Sequence, residues 1–135
     1  MPIYYADASA LVKLVRKEAE SDALHVYIDG ANLVSSELAL TEILRAVHRA
    51  AARDRRPLGR LLKRAAEVID MLGLRPLDYP LLATAGAFAE PALRTLDAIH
   101  VATAVDLHPI DSFVTYDERQ AAAARLAGLR TIAPA

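Results

Sequence analysis

The chain has 135 residues, enough for one domain (1–135) with a sizeable core, and its 16 basic and 17 acidic side chains leave a net charge of −1. It has no cysteine, which excludes disulfides, thiol catalysis and cysteine-ligated zinc. No apolar run is long enough to cross a bilayer and the N-terminus lacks a basic-then-apolar signal pattern, so a cytoplasmic protein with no membrane partner is expected.

Apolar runs suited to buried strands alternate with helical periodicity. IYYA (3–6) reads as a first strand, followed by helices over 8–18 and 21–28. LVS (33–35) reads as a second, followed by helices over 36–54 and 57–72. LRPL (74–77) is a third strand, with helices over 80–88 and 95–107 behind it. SFVT (112–115) is a fourth, a helix spans 117–127, and RTI (130–132) is a short fifth strand. This alternation predicts an α/β domain with a parallel sheet. Such sheets present their ligands at the carboxyl ends of the strands.

Two acids stand at such ends. Asp7 follows the first strand and Asp117 follows FVTY; each also suits a helix cap. Asp97 lies in TLDAIHVATAVDL, which is apolar almost all round, so the helix is expected to be buried on most sides. A carboxylate there needs a partner or a metal. Glu42 lies in SSELALTEILRAVHRAAAR, whose core face reads Leu40, Ile43, Leu44, Val47, Ala50 and Ala51. It shares the opposite face with Arg45, Arg49 and Arg53. That face is either solvated, with an i,i+3 ion pair from Glu42 to Arg45, or it is a cleft wall with a basic stripe leading away. Four converging carboxylates would repel, since two unit charges about 4 Å apart cost about 4 kcal/mol at an effective dielectric of about 20. A divalent cation relieves this, and an all-oxygen ligand set suits Mg²⁺ or Mn²⁺ over Zn²⁺.

YYADASALVKL, SSELALTEILRAV, TLDAIHVATA and SFVTYDERQAAAARLAGL, in this order and spacing, resemble the motifs of the PIN-domain nucleases, above all the VapC-type toxins of toxin–antitoxin pairs. The resemblance implies a three-layer α/β/α sandwich with a short parallel sheet. It implies a Mg²⁺-dependent endoribonuclease, with Mn²⁺ as a substitute ion, that acts as a homodimer and is inhibited by a cognate antitoxin. Asp7, Glu42, Asp97 and Asp117 then become the catalytic acids. Asp7 and Asp97 would ligate metal directly. Asp117, also assigned to metal, and Glu42 would hold a second ion or a metal-bound water, or act as general base. Ser9 and Thr115 would orient the carboxylates. Glu118, beside Asp117, and Asp111, six residues before it, are alternative fourth acids.

RNA approaching this negative site needs positive charge nearby. Residues 45–64 hold eight basic side chains against one acid, Asp54, and Arg45, Arg49 and Arg53 are the candidate phosphate contacts. The alternative is a catalytically silent PIN-like module that binds RNA or protein; its mark would be a missing acid, and none is missing. Neither GxxxxGK nor GxGxxG occurs. His25, His48, His100 and His108 have no metal-site spacing, and His100 reads as a core or helix-face histidine.

Overall fold

The computed structural model describes residues 1–135. Five strands, β1 (Ile3–Ala6), β2 (Asn32–Ser36), β3 (Gly73–Arg75), β4 (Ser112–Val114) and β5 (Thr131–Ile132), form one all-parallel sheet in the order β3-β2-β1-β4-β5. Successive side chains of a strand face opposite ways. Ala6, Leu33 and Val114 point to one layer, and Tyr5 and Phe113 to the other. The first layer holds α1 (Ala8–Val15), α2 (Ser21–Ile28), α3 (Leu38–Arg53) and α4 (Leu58–Met71), packed through Leu11, Leu24, Ile43 and Val68. The second holds α6 (Thr95–Asp106) and α7 (Glu118–Leu126), with α5 (Tyr79–Gly86) against α6 through Leu81, Ala85, Ile99 and Ala102. This is the expected three-layer α/β/α sandwich. No helix is long and apolar enough to cross a membrane.

The chain builds outward from β1 through β2 to β3, then crosses back to lay β4 on the other side of β1. Strand order therefore reverses between β1 and β4. In open α/β sheets, the crevice at the carboxyl ends of such a pair is where ligands bind.

Several boundaries and faces differ from the sequence expectation. α1 stops at Val15 because Arg16 is extended, at φ −119° and ψ 126°. The Ser21 hydroxyl then ties the turn, donating to the Lys13 carbonyl and accepting from the Glu18 N–H. β3 ends at Arg75, before Pro76, which has no N–H to offer the ladder. On α3, Ala39 is fully buried and Leu40 faces outward. On α6, Leu96 and Val105 are exposed, so the helix is less enclosed than its composition implies.

Gly128 closes α7. Its N–H bonds to the Arg125 carbonyl and that of Leu129 to the Ala124 carbonyl, while Gly128 itself takes φ +87°. A Cβ there would meet nothing within 4 Å, so its cost is conformational only. Gly128→Ala should lower stability by about 1 kcal/mol, read as a shift of the urea midpoint at constant slope. An unmoved midpoint would mean that the turn relaxes freely.

Candidate active site

The site is built around Asp7. Its N–H continues the β1–β4 ladder to the Val114 carbonyl at 3.3 Å, which delivers the side chain to the reversal point. One carboxylate oxygen, Oδ1, accepts from the Ser9 hydroxyl at 2.6 Å and from the Ala10 N–H at 3.3 Å. The other, Oδ2, accepts from the Thr115 hydroxyl at 2.6 Å. Ser9 is itself held by the Tyr116 N–H at 2.9 Å, and Thr115 by the Asp117 N–H at 3.1 Å. Asp7 is thus a helix cap and the centre of a hydroxyl clamp at once. It is 4% exposed, and burial raises its carboxyl above the ordinary range, although the two hydroxyls, the nearby His100 ring and the Ala10 N–H oppose the shift.

Asp117 caps α7, accepting from the N–H groups of Arg119 at 2.9 Å and Gln120 at 3.3 Å. Asp97 lies half-buried in the first turn of α6, where the helix dipole favours an anion. Its carboxyl is also raised, first by burial and second by the charge of Asp117 across from it. None of Asp7, Asp97 and Asp117 belongs to an ion pair. Of the alternative fourth acids, Asp111 stands at the wrong end of the sheet, where it accepts from the Ile3 N–H at 2.7 Å. Glu118 is an exposed first-turn residue of α7.

Glu42 does not pair with Arg45. Its Oε1 lies 2.6 Å from Nε2 of His100, whose Nδ1 lies 2.6 Å from the Tyr5 hydroxyl. His100 is therefore a core histidine, 2% exposed, that also reaches the acidic site. The sequence held one cue for it: His100 falls three residues after Asp97, on the same helix face.

Glu42 and Ser9 line one end of a groove of about 700 Å³ between α1 and α3. Exposed Arg45, Arg49 and Arg53 continue along it, and none of them is in an ion pair. Lys13 and Arg16 also line it, but Lys13 is bound to Glu18 and Glu20 and Arg16 to Asp54. Arg64, from the same basic run, is turned to structural work, donating to the Leu14 carbonyl and to Glu67.

No three acidic or histidine side chains stand close enough together to hold a metal ion between them. The donors fit a hard cation that keeps much of its water shell, as Mg²⁺ does when held by one or two carboxylates, and do not fit a caged Zn²⁺.

The PIN domain family matches residues 4–126. Ribonuclease VapC46 of Mycobacterium tuberculosis (strain ATCC 25618 / H37Rv) is 41% identical over 99% of both chains. Ribonuclease VapC35 of the same species is 38% identical over 96% of both. Among solved structures, Mycobacterium tuberculosis VapC20, a toxin that cleaves the sarcin-ricin loop, superposes with a TM-score of 0.72 at 16% identity, covering 97% of this chain and 99% of its own. PAE2754 from Pyrobaculum aerophilum gives 0.68 at 21%, covering 96% of this chain and 83% of its own. With a family match over nearly its full length, and VapC relatives this similar across both chains, this chain belongs to the PIN-domain family and, within it, to the VapC group.

Proposed function

We propose that the chain is a Mg²⁺-dependent endoribonuclease, the toxin of a type II toxin–antitoxin pair. It works in the cytoplasm as a homodimer and is restrained by its cognate antitoxin. One observation carries the reading: a buried Asp7 clamped by two hydroxyls at the sheet reversal, with Asp97 and Asp117 nearby and none of the three acids in an ion pair with a basic side chain. The relatives named as ribonucleases agree with it.

Asp7, Asp97 and Asp117 are the residues that would hold Mg²⁺, or Mn²⁺ in its place. A bound ion would polarise the phosphoryl oxygen and acidify the attacking water. Ser9 and Thr115 keep both oxygens of Asp7 in fixed directions. Glu42, which lines the groove, would take the proton of the incoming water. Arg45, Arg49 and Arg53 draw the RNA backbone along the groove towards it.

The direct test is cleavage of a mixed single-stranded RNA pool with Mg²⁺, Mn²⁺ or EDTA. Cleavage that persists in EDTA removes the metal mechanism. The basic stripe is tested separately by RNA affinity against salt, with a slope of roughly −0.7 per phosphate contact. Arg49→Ala with Arg53→Ala should flatten that slope by one to two units on the same estimate. An unchanged slope would return the stripe to a solvated helix face.

A further inference from the structure

We propose that His100, held by Tyr5, is a positioning residue whose Nε2–H fixes the Glu42 carboxylate at the groove end. The proposal builds on the nuclease reading, but its geometry stands by itself. Tyr5 is fully buried; its ring stacks on Phe113 at 5.0 Å between centroids and meets His100 edge-on at 5.8 Å. Neither the phenol nor the imidazole has room to swing. Both bonds of the chain, Tyr5 to Nδ1 and Nε2 to Glu42, are 2.6 Å long.

The direction of the chain follows from donor inventory. Burial keeps the Tyr5 phenol protonated, so it has an O–H to donate into Nδ1. The ring proton then sits on Nε2 and is donated to the Glu42 carboxylate. The reverse tautomer would face a bare nitrogen with a carboxylate oxygen 2.6 Å away, two acceptors without a proton between them. A histidine with a purely structural task would be satisfied inside the core. This one spends its outer nitrogen on the only carboxylate of α3, which opens into the groove. Glu42, a flexible side chain on a helix surface, is thereby confined to one orientation before substrate arrives.

Long-range ¹H–¹⁵N correlation spectra of the whole chain test the hydrogen-bond chain without any activity. The His100 ring should carry a proton on Nε2, and Tyr5→Phe should move the Nδ1 resonance by removing the O–H that it accepts. A bare Nε2, or an Nδ1 resonance that Tyr5→Phe leaves unmoved, overturns the proposal. Steady-state cleavage of the same RNA pool with Mg²⁺ then tests the role. Tyr5→Phe should lower kcat about tenfold with KM unchanged. His100→Gln, which keeps an N–H donor, should retain more activity than His100→Leu. In a Glu42→Gln background, Tyr5→Phe should change nothing further; an added loss there would mean that Tyr5 and His100 act through the fold, and the positioning role falls. If the wild-type chain leaves RNA intact, the nuclease reading fails and the positioning role falls with it, while the spectrum still decides the hydrogen-bond chain.

Discussion

Asp7→Asn is expected to lower RNA cleavage by about a hundredfold to a thousandfold while the protein melts no lower than wild type. Metal-borne charge stabilisation supplies several kcal/mol of barrier lowering, and each 1.36 kcal/mol is about tenfold in rate. The stability half follows from the surroundings of the carboxyl. Asparagine keeps one oxygen for the bonds from the Ala10 N–H and the Ser9 hydroxyl, and the Thr115 hydroxyl can rotate to accept from its amide. The substitution also removes a buried negative charge that the fold disfavours. Kinetics with Mg²⁺ beside a thermal melt check both halves. Wild-type cleavage in the variant would sink the metal assignment. A large drop in Tm would show that the carboxylate serves mainly to hold β1 to α1.

Asp97→Asn should raise Tm in metal-free buffer and lose that advantage in Mg²⁺. The Asp97 carboxyl is raised by burial and by Asp117, so its charged form is costlier in the folded chain than in the unfolded one. A raised carboxyl contributes stability below its unfolded value and loses it as pH rises through the folded value. The wild-type deficit should therefore be full at neutral pH and fade towards about pH 4. Saturating Mg²⁺ should stabilise wild type by about 2.7 kcal/mol at a hundredfold excess over Kd, and the variant by much less. The order of melting temperatures should reverse between EDTA and Mg²⁺. If Asn lowers Tm in both, Asp97 is a structural group and the metal assignment goes.

The layered fold was legible because its signals are local. Buried strands and amphipathic helices follow one another along the chain, and Asp7 and Asp117 sit where strand turns to helix. The hydroxyls of Ser9 and Thr115 were legible from the family resemblance, and the structure puts both on Asp7. What escaped depends on partners distant in sequence. Periodicity puts Glu42 beside Arg45 on α3, yet His100, 58 residues away on α6, takes its carboxylate. Tyr5 reads as one more apolar strand residue until its hydroxyl is seen against that ring. The preference for Asp117 over Asp111 was legible, because the one follows the fourth strand and the other precedes it, and the structure puts Asp111 on the Ile3 N–H at the opposite end. The end of α1 was misjudged because the competing bonds come from Ser21, beyond the helix.

The placing of β4 beside β1 has a consequence during synthesis. Asp7 and Thr115, which fixes its second oxygen, lie 108 positions apart in the chain. Until the Thr115 segment leaves the ribosome, β1 has an open edge on one side and the clamp lacks half its donors. Pairings this distant in sequence must await loop closure, so they form late and slowly compared with local helix contacts. A nascent chain halted short of residue 112 can carry Asp7 and Glu42 but cannot complete the acidic centre, because β4 and Thr115 are still missing.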